Sequence, residues 1–164
     1  MHIRRAQLDE LPILENLARQ IWPDTYAQII SQEQINFMLD WMYSFPILKQ
    51  QQEEGHEFYI IATEGTDIGF MALEWLEQEG ISELKINKLY VLPSLHRRGA
   101  GSALLEKAKE RAAETGCQAI FLQVNKANAA KNFYLKLGFQ VREEAVFDIG
   151  NGFVMDDYIM EVQL

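Results

Sequence analysis

The first third of the chain repeats apolar residues at the spacing of an amphipathic helix. Between residues 8 and 21 they recur every three or four positions, and they are Leu8, Leu11, Leu14, Leu17, Ala18 and Ile21. Because proline removes a backbone donor and blocks the preceding turn, Pro23 is expected to end this helix. A second helical pattern covers about residues 32–43. Pro46 interrupts it, and a short helix is expected over residues 47–52.

From residue 58 onward the spacing changes to the alternation that is typical of strands. Turn residues separate the alternating runs, most clearly at Gly65-Thr66-Asp67 and at Gly150-Asn151-Gly152. With a short run at the start of the chain, the predicted strands are His2–Arg5, 58–63, 68–76, 84–92, 119–124, 139–149 and 153–162. Helical spacing returns over residues 99–115 and 128–137, and a glycine follows each of these runs.

One predicted strand changes phase in its middle. Leu84 and Ile86 alternate in one phase, whereas Leu89 and Val91 alternate in the other. One extra residue near Asn87 explains this shift, so the sequence predicts a β-bulge at that point.

Composition and element order together indicate one domain. The chain has 164 residues, of which 48% are hydrophobic and 24% charged, as in an average globular protein. It contains no repeat, low-complexity tract or linker, so a single domain over residues 1–164 is predicted. Short turns join most successive strands, and helices intervene elsewhere. The predicted fold class is therefore mixed α/β (α+β), with one mostly antiparallel sheet.

The charge of the chain restricts its partners. With a net charge of −9 and a pI of about 4.8, the protein repels polyanions, so neither nucleic acid nor an anionic membrane is an expected partner. A cationic amine would be attracted, although acidity also serves solubility alone. The single cysteine excludes an intrachain disulfide, and the chain shows neither a signal peptide nor a membrane span, so a cytoplasmic protein is expected. Three dispersed histidines predict no metal site.

Two glycines, Gly99 and Gly101, stand at the start of the clearest helical pattern. Amides at a helix start lack intrahelical acceptors and the helix dipole is positive there, so this turn suits a phosphate or pyrophosphate. Arg97 and Arg98 add two permanent cations. The turn is not a P-loop, because no Gly-Lys-Ser/Thr follows, and Leu104 replaces the third glycine of a dinucleotide fingerprint. A tight turn with solvated arginines is the alternative explanation.

Two segments of the chain resemble the GNAT superfamily of N-acetyltransferases. The run LYVLP at 89–93, followed by RRGAGSALL at 97–105, resembles the family's acetyl-CoA signature, Q/R-x-x-G-x-G/A after a bulged strand. His96 occupies the Q/R position and departs from it; a shifted register, Arg98-x-x-Gly101-x-Ala103, is a full match. The run VNKAN at 124–128, followed by FYLKLGF at 133–139, resembles the family motif N…(F/Y)Y-x-K-x-G-F.

The resemblance implies a twisted, mostly antiparallel sheet of six to seven strands, flanked by about four helices. Its fourth and fifth strands would splay apart, and the pantetheine arm of acetyl-CoA would lie between them. The residues that the resemblance assigns to acetyl-CoA, on the bulged strand, the glycine turn and the second motif, are Leu89, Tyr90, Val91, His96, Arg97, Arg98, Gly99, Ala100, Gly101, Ser102, Asn128 and Tyr134.

The resemblance also places Tyr134 where the family has the general acid that protonates the departing thiolate. A phenol suits this task, because its ordinary pKa of about 10 keeps it protonated at neutral pH. A core aromatic, like its neighbour Phe133, is the alternative reading. No general base stands out: Glu74 and Glu83 also fit solvated surface positions, and deprotonation through water is equally compatible.

In this family the N-terminal helices and the last hairpin close the acceptor side of the cleft. Trp22, Tyr26 and Asp148 are therefore candidate contacts for an ammonium group, and Asp156 and Asp157 of the same hairpin could add negative charge. Ordinary core and surface roles are the alternative. The expected function is transfer of an acetyl group from acetyl-CoA to a primary amine of a small molecule, polyamine-like by preference, or of a peptide, within a ternary complex. A non-catalytic acyl-CoA sensor is the alternative, and a homodimer through the last strands is compatible with the sequence.

Overall fold

Seven strands form one sheet that runs through the whole protein. The structure, a computed structural model, describes all of residues 1–164. The strands are β1 (His2–Arg5), β2 (Glu57–Thr63), β3 (Thr66–Gln78), β4 (Ile81–Val91), β5 (Ala119–Asn125), β6 (Gln140–Gly150) and β7 (Phe153–Gln163). Their order in the sheet is β1-β2-β3-β4-β5-β7-β6, and every neighbouring pair is antiparallel except β4 and β5.

Five helices cover the two faces of this sheet. They are α1 (Leu11–Tyr26), α2 (Gln32–Tyr43), α3 (Phe45–Glu53), α4 (Ala100–Glu114) and α5 (Ala130–Lys136). The first three bury their apolar stripes against one face, where Phe58 and Phe70 form the floor. The other two pack on the opposite face over residues such as Leu84 and Ile120. Apolar burial on both faces of one sheet therefore holds the fold together.

The predicted end of the first helix at Pro23 is wrong, because Pro23 lies inside α1, which continues to Tyr26. Two hydrogen bonds support the turns around the proline: Ala27 N donates to Pro23 O at 3.1 Å, and Thr25 Oγ1 donates to Ile21 O at 3.0 Å. The extra turn buries Trp22 and Tyr26 in the core. This burial offsets the backbone bond that proline removes, so tertiary packing overrides the local signal.

The predicted bulge is present, and it coincides with a splay in the sheet. Ala72 pairs with Lys88 and Leu73 with Ile86, so Asn87 is the extra residue of β4. Parallel pairing between β4 and β5 covers only four residue pairs, from Glu83 with Ala119 to Ile86 with Leu122. Beyond the bulge both strands continue, but they do not pair with each other. The predicted sheet, splayed between its fourth and fifth strands, is thus confirmed.

An ion pair with a buried carboxylate ties α4 to the sheet. The Glu57 side chain is only 4% exposed, and its carboxylate accepts from Arg111 Nη2 at 3.0 Å and pairs with Arg5 Nη1 at 3.0 Å. Arg111 contacts both carboxylate oxygens and so fixes the direction of α4.

Candidate active site

The backbone of β4 beyond the bulge offers hydrogen-bonding groups to the gap. Leu92 N donates to Ile68 O at 2.8 Å, and antiparallel pairs alternate between bonded and non-bonded. It follows that Leu89 and Val91 direct their N–H and C=O groups away from β3, toward β5. Tyr90 instead directs its backbone groups to Phe70 on β3. Of the three residues predicted to contact acetyl-CoA through their backbone, Leu89 and Val91 therefore face the gap, whereas the backbone of Tyr90 pairs with β3.

The glycine turn leaves the first amides of α4 without partners inside the helix. Gly99 is the N-cap, with φ of +87°, and no side chain caps the helix. The first intrahelical bond runs from Ala103 N to Gly99 O at 2.9 Å. The N–H groups of Ala100, Gly101 and Ser102 consequently lack intrahelical acceptors at the positive end of the dipole. This arrangement is chemically suited to an anion such as a diphosphate.

The side chains around this turn leave it open to solvent. Arg97 and Arg98 are exposed, and neither forms an ion pair within the protein. Gly99 has no heavy atom within 4 Å of the position that a Cβ would occupy. At Gly101, by contrast, a Cβ would lie 3.1 Å from Phe133 Cζ on α5, so only glycine fits there without displacing the ring.

His96, a predicted contact of acetyl-CoA, makes a hydrogen bond within the protein. Its Nε2 lies 2.9 Å from Val91 O, and a carbonyl can only accept, so the ring donates its N–H there. A neutral imidazole then has only Nδ1, an acceptor, to offer a ligand. The bond fixes the turn against the end of β4, which orients the segment that leads into Gly99.

Tyr134 lies on α5 and is 6% exposed. Its ring packs edge-on against Phe133 and Phe139, with centroids 5.1 and 5.6 Å away. Burial raises the pKa of Tyr134 well above its ordinary value, and the nearby Tyr26 adds to this effect. The phenol is therefore neutral, and no protein group lies within hydrogen-bond distance of its oxygen. Such a hydroxyl has a proton to donate.

Asn128 connects the start of α5 to the N-terminal helices. Its Oδ1 accepts from Ala130 N at 2.9 Å, and its Nδ2 lies 3.5 Å from Tyr26 Oη. The Tyr26 hydroxyl in turn lies 2.8 Å from Tyr90 Oη. This chain of polar groups joins α5, α1 and β4, and so crosses from one side of the splay to the other.

A cavity of about 60 Å³ lies on the α1–α2 side of the splay. Residues of both splayed strands line it, together with residues of α1, α2 and β7. They are Trp22, Tyr26, Ile30, Gln34, Met38, Met42, Asn87, Tyr90, Gln123, Asn125, Met155 and Asp157. Two of the predicted acceptor residues, Trp22 and Tyr26, are thus brought together at one cavity.

The third predicted acceptor residue, Asp148, lies elsewhere. It is exposed on β6 and accepts from Gly150 N at 2.9 Å, so it stabilises the turn of the last hairpin. Asp157 is the acidic residue at the cavity; the sequence named it beside Asp148 and Asp156 but did not distinguish among the three. The alternation along β7 distinguishes Asp157 from Asp156. Asp157 lies on the same face of the strand as Phe153 and Met155. Asp156 lies on the other face and pairs with Lys126 at 2.9 Å.

The two carboxylates considered as bases do not line the cavity. Glu74 accepts from Asn87 Nδ2 at 2.9 Å, and Glu83 pairs with Arg142 at 3.3 Å near the end of β4 that is hydrogen-bonded to β5.

No helix is both long and apolar enough to cross a membrane. No three His, Cys, Asp or Glu side chains are grouped so that they could hold a metal ion.

Comparison with known proteins agrees with this geometry. Residues 54–141 match the family model described as an acetyltransferase (GNAT) domain. An uncharacterized N-acetyltransferase of Mycobacterium tuberculosis is 36% identical over 83 residues, which is 50% of this chain and 53%, about half, of that relative's length. The spermidine N(1)-acetyltransferase of Thermoplasma acidophilum is 27% identical over 162 residues, which cover 95% of this chain and 96% of the relative.

Among solved structures, the PaiA N-acetyltransferase of Thermoplasma acidophilum in complex with coenzyme A superposes with a TM-score of 0.81 at 27% identity. The superposition covers 99% of this chain and 98% of that one. With the family model matching more than half of its residues, the chain belongs to the GNAT acetyltransferase family.

Proposed function

We propose that this protein transfers the acetyl group of acetyl-CoA to a primary amine of a small cationic molecule, within one N-acetyltransferase domain over residues 1–164. One observation carries this proposal: the gap between β4 and β5 lies beside a helix start whose amides have no partners. Acetyl-CoA carries its thioester on a long pantetheine arm that ends in a diphosphate. The gap between the strands exposes backbone groups that can hold the arm, and the helix start at its edge can hold the diphosphate.

In this proposal the backbone of β4 and the turn before α4 bind acetyl-CoA. Leu89 offers its N–H and C=O groups to the pantetheine arm, and Val91 offers its N–H, because its C=O already accepts from His96. The amides from residue 97 to residue 102, with the guanidinium groups of Arg97 and Arg98, hold the diphosphate. Asn128 contacts the arm from the α5 side. The exposure of the turn supports this assignment, because a ligand reaches it without any rearrangement.

Positioning and proton transfer then supply the catalysis. Holding amine and thioester in one gap contributes up to ~7–11 kcal/mol by proximity. The Val91 N–H polarises the thioester carbonyl and stabilises the oxyanion. Tyr134 gives its phenolic proton to the departing thiolate, and its neutral, unpartnered hydroxyl supports this role.

The cavity supports a small cationic acceptor. The cavity is lined by the aromatic rings of Trp22, Tyr26 and Tyr90, and aromatic rings attract ammonium groups. The protein's net charge of −9 attracts a polycation over a longer range. The relative that matches nearly the whole chain is a spermidine acetyltransferase. A polyamine is therefore the acceptor class that we favour over a peptide. As to the compartment, the single free cysteine agrees with a reducing, cytoplasmic setting.

A thiol-release assay with acetyl-CoA tests this function across polyamines, amino acids, aminoglycosides and peptide N-termini. We expect release with polyamines and little with the other classes. If calorimetry shows that acetyl-CoA binds while no amine releases the thiol, the protein is an acyl-CoA sensor instead. If acetyl-CoA does not bind at all, the proposed gap has another role.

A further inference from the structure

Asp157 is the one residue whose buried side-chain polar atoms have no hydrogen-bond partner. It is 0% exposed, and neither Oδ1 nor Oδ2 meets a donor within the protein. Burying a carboxylate without partners is strongly unfavourable, and folded proteins satisfy nearly all buried polar groups. An orphaned carboxylate in a cavity wall therefore points to a ligand that supplies the missing donors.

The surroundings of Asp157 specify what kind of ligand fits. Asp157 faces Asn125 across the pairing of β5 and β7, at the end of β5 where the gap is open. Tyr26 and Tyr90 line the same cavity as Asp157, so aromatic rings and a carboxylate share one site. A carboxylate among aromatic rings binds an ammonium group better than it binds an anion or a neutral molecule.

The remaining wall of the cavity suits an alkyl chain. Met38 and Met42 of α2 and Met155 of β7 line it. Methionine side chains are apolar and flexible, so they adapt to chains of different length. Gln34 Nε2 donates to Val154 O at 2.9 Å and fastens α2 to the last hairpin over the cavity. The site therefore matches an amine on a flexible aliphatic chain.

We propose that Asp157 binds the acceptor's ammonium group in this cavity and takes the proton that the amine loses before it attacks the thioester. The inference rests on the proposed function and adds the residue that selects a cationic acceptor. The ammonium passes one proton to the carboxylate, and the freed nitrogen lone pair forms the C–N bond as the C–S bond breaks. Tyr134 protonates the sulfur and regains a proton from the nitrogen, and Asp157 releases its proton to solvent.

Burial makes this proton transfer feasible. The pKa of Asp157 is raised to about 6, mainly by desolvation and then by the neighbouring Asp156, while Lys126 and Lys85 oppose the shift. The other titratable groups in the cavity wall, Tyr26 and Tyr90, remain neutral, because burial raises their pKa values as well. The same desolvation lowers the pKa of a bound amine. The pKa values of the Asp157 carboxyl group and of the bound amine thus approach each other. Transfer of the proton from the ammonium to the carboxylate is then favourable, because it leaves two neutral groups in place of two buried charges.

The test compares Asp157→Asn with Asp156→Asn. Asparagine has nearly the shape of aspartate but can neither pair with an ammonium nor take its proton. With spermidine as the acceptor, we expect Asp157→Asn to lower kcat/KM by about 10²–10⁴-fold and to remove the acidic limb of the pH profile near pH 6. Asp156→Asn removes the same charge from the outer face of the strand and should retain near wild-type kcat/KM.

An uncharged acceptor separates this role from a structural one. Methoxyamine is neutral at pH 7 and needs neither an ion pair nor the loss of a proton before it attacks, so Asp157→Asn should retain wild-type turnover with it. Equal loss with both acceptors, or kcat/KM with spermidine equal to that of Asp156→Asn, overturns the inference while the proposed function stands. A wild-type protein that acetylates no amine overturns the proposed function itself.

Discussion

Replacing Tyr134 by phenylalanine removes one oxygen atom from the proposed active site and little else. The hydroxyl has no hydrogen-bond partner in the protein, and the ring keeps its contacts with Phe133 and Phe139. We therefore expect the free energy of unfolding to change by less than about 1 kcal/mol. The affinity for acetyl-CoA should also stay close to that of the wild type.

Turnover, in contrast, should fall by about 10²–10⁴-fold, because the thiolate would leave without its general acid. That loss corresponds to ~3–5 kcal/mol in the activation free energy. Burial raises the pKa of Tyr134, so the wild type should lose no activity through this group as the pH rises to its ordinary pKa of about 10.

A thiol-release assay gives kcat, and calorimetry gives the affinity for acetyl-CoA. Tyr59→Phe is the matched control, because Tyr59 is buried in the same cluster but donates to Glu57 at 3.3 Å, away from the gap. The control should retain wild-type kcat. If Tyr134→Phe keeps kcat within about threefold of the wild type, Tyr134 is not the general acid.

Three other substitutions test separate parts of the account. Gly99→Ala and its control Gly55→Ala both place a Cβ at positive φ, which costs ~1–2 kcal/mol of folding free energy in each case. Calorimetry should show weaker acetyl-CoA binding only for Gly99→Ala. Equal affinities of the two variants for acetyl-CoA would remove the turn from the site. Glu57→Ala leaves Arg111 without its buried partner and should lower the free energy of unfolding in urea by about 2 kcal/mol, with an unchanged midpoint as the contrary result. Asp157→Asn should raise the melting temperature at pH 7, because the folded-state pKa of Asp157, about 6, exceeds the unfolded value of 3.8, and the charged carboxylate therefore opposes folding. Below pH 3.8 the carboxyl group is neutral in both states, so the gain should vanish there. A gain in melting temperature that persists below pH 3.8 would contradict the reasoning.

Local signals in the sequence predict much of the site's scaffold. The phase change around Asn87 identifies the bulge that separates the two parallel strands, since a single extra residue reverses the faces of a strand. Gly99 is recognisable before a helical pattern because its positive φ favours glycine. Both features are determined within a few residues of chain, which is why no knowledge of distant contacts is needed to find them.

Features that depend on distant contacts are harder to predict. Pro23 looks like a helix end, and only the burial of Trp22 and Tyr26 against the sheet explains why α1 continues. Asp148 and Asp157 are equally acidic in sequence, yet one stabilises an exposed turn and the other is buried in the cavity wall. Their difference arises from which face of the hairpin packs under α1 and α2, and this is a property of the assembled fold.

An amide NMR titration with coenzyme A tests the central claim directly, because each backbone N–H reports its own surroundings. If the gap beyond the bulge holds the cofactor, the amides of Leu89, Val91 and residues 100–102 should shift most and saturate together. If these amides stay unchanged while others move, for example around His2 and Asp67 in the groove at the far edge of the sheet, acetyl-CoA does not lie between the two splayed strands.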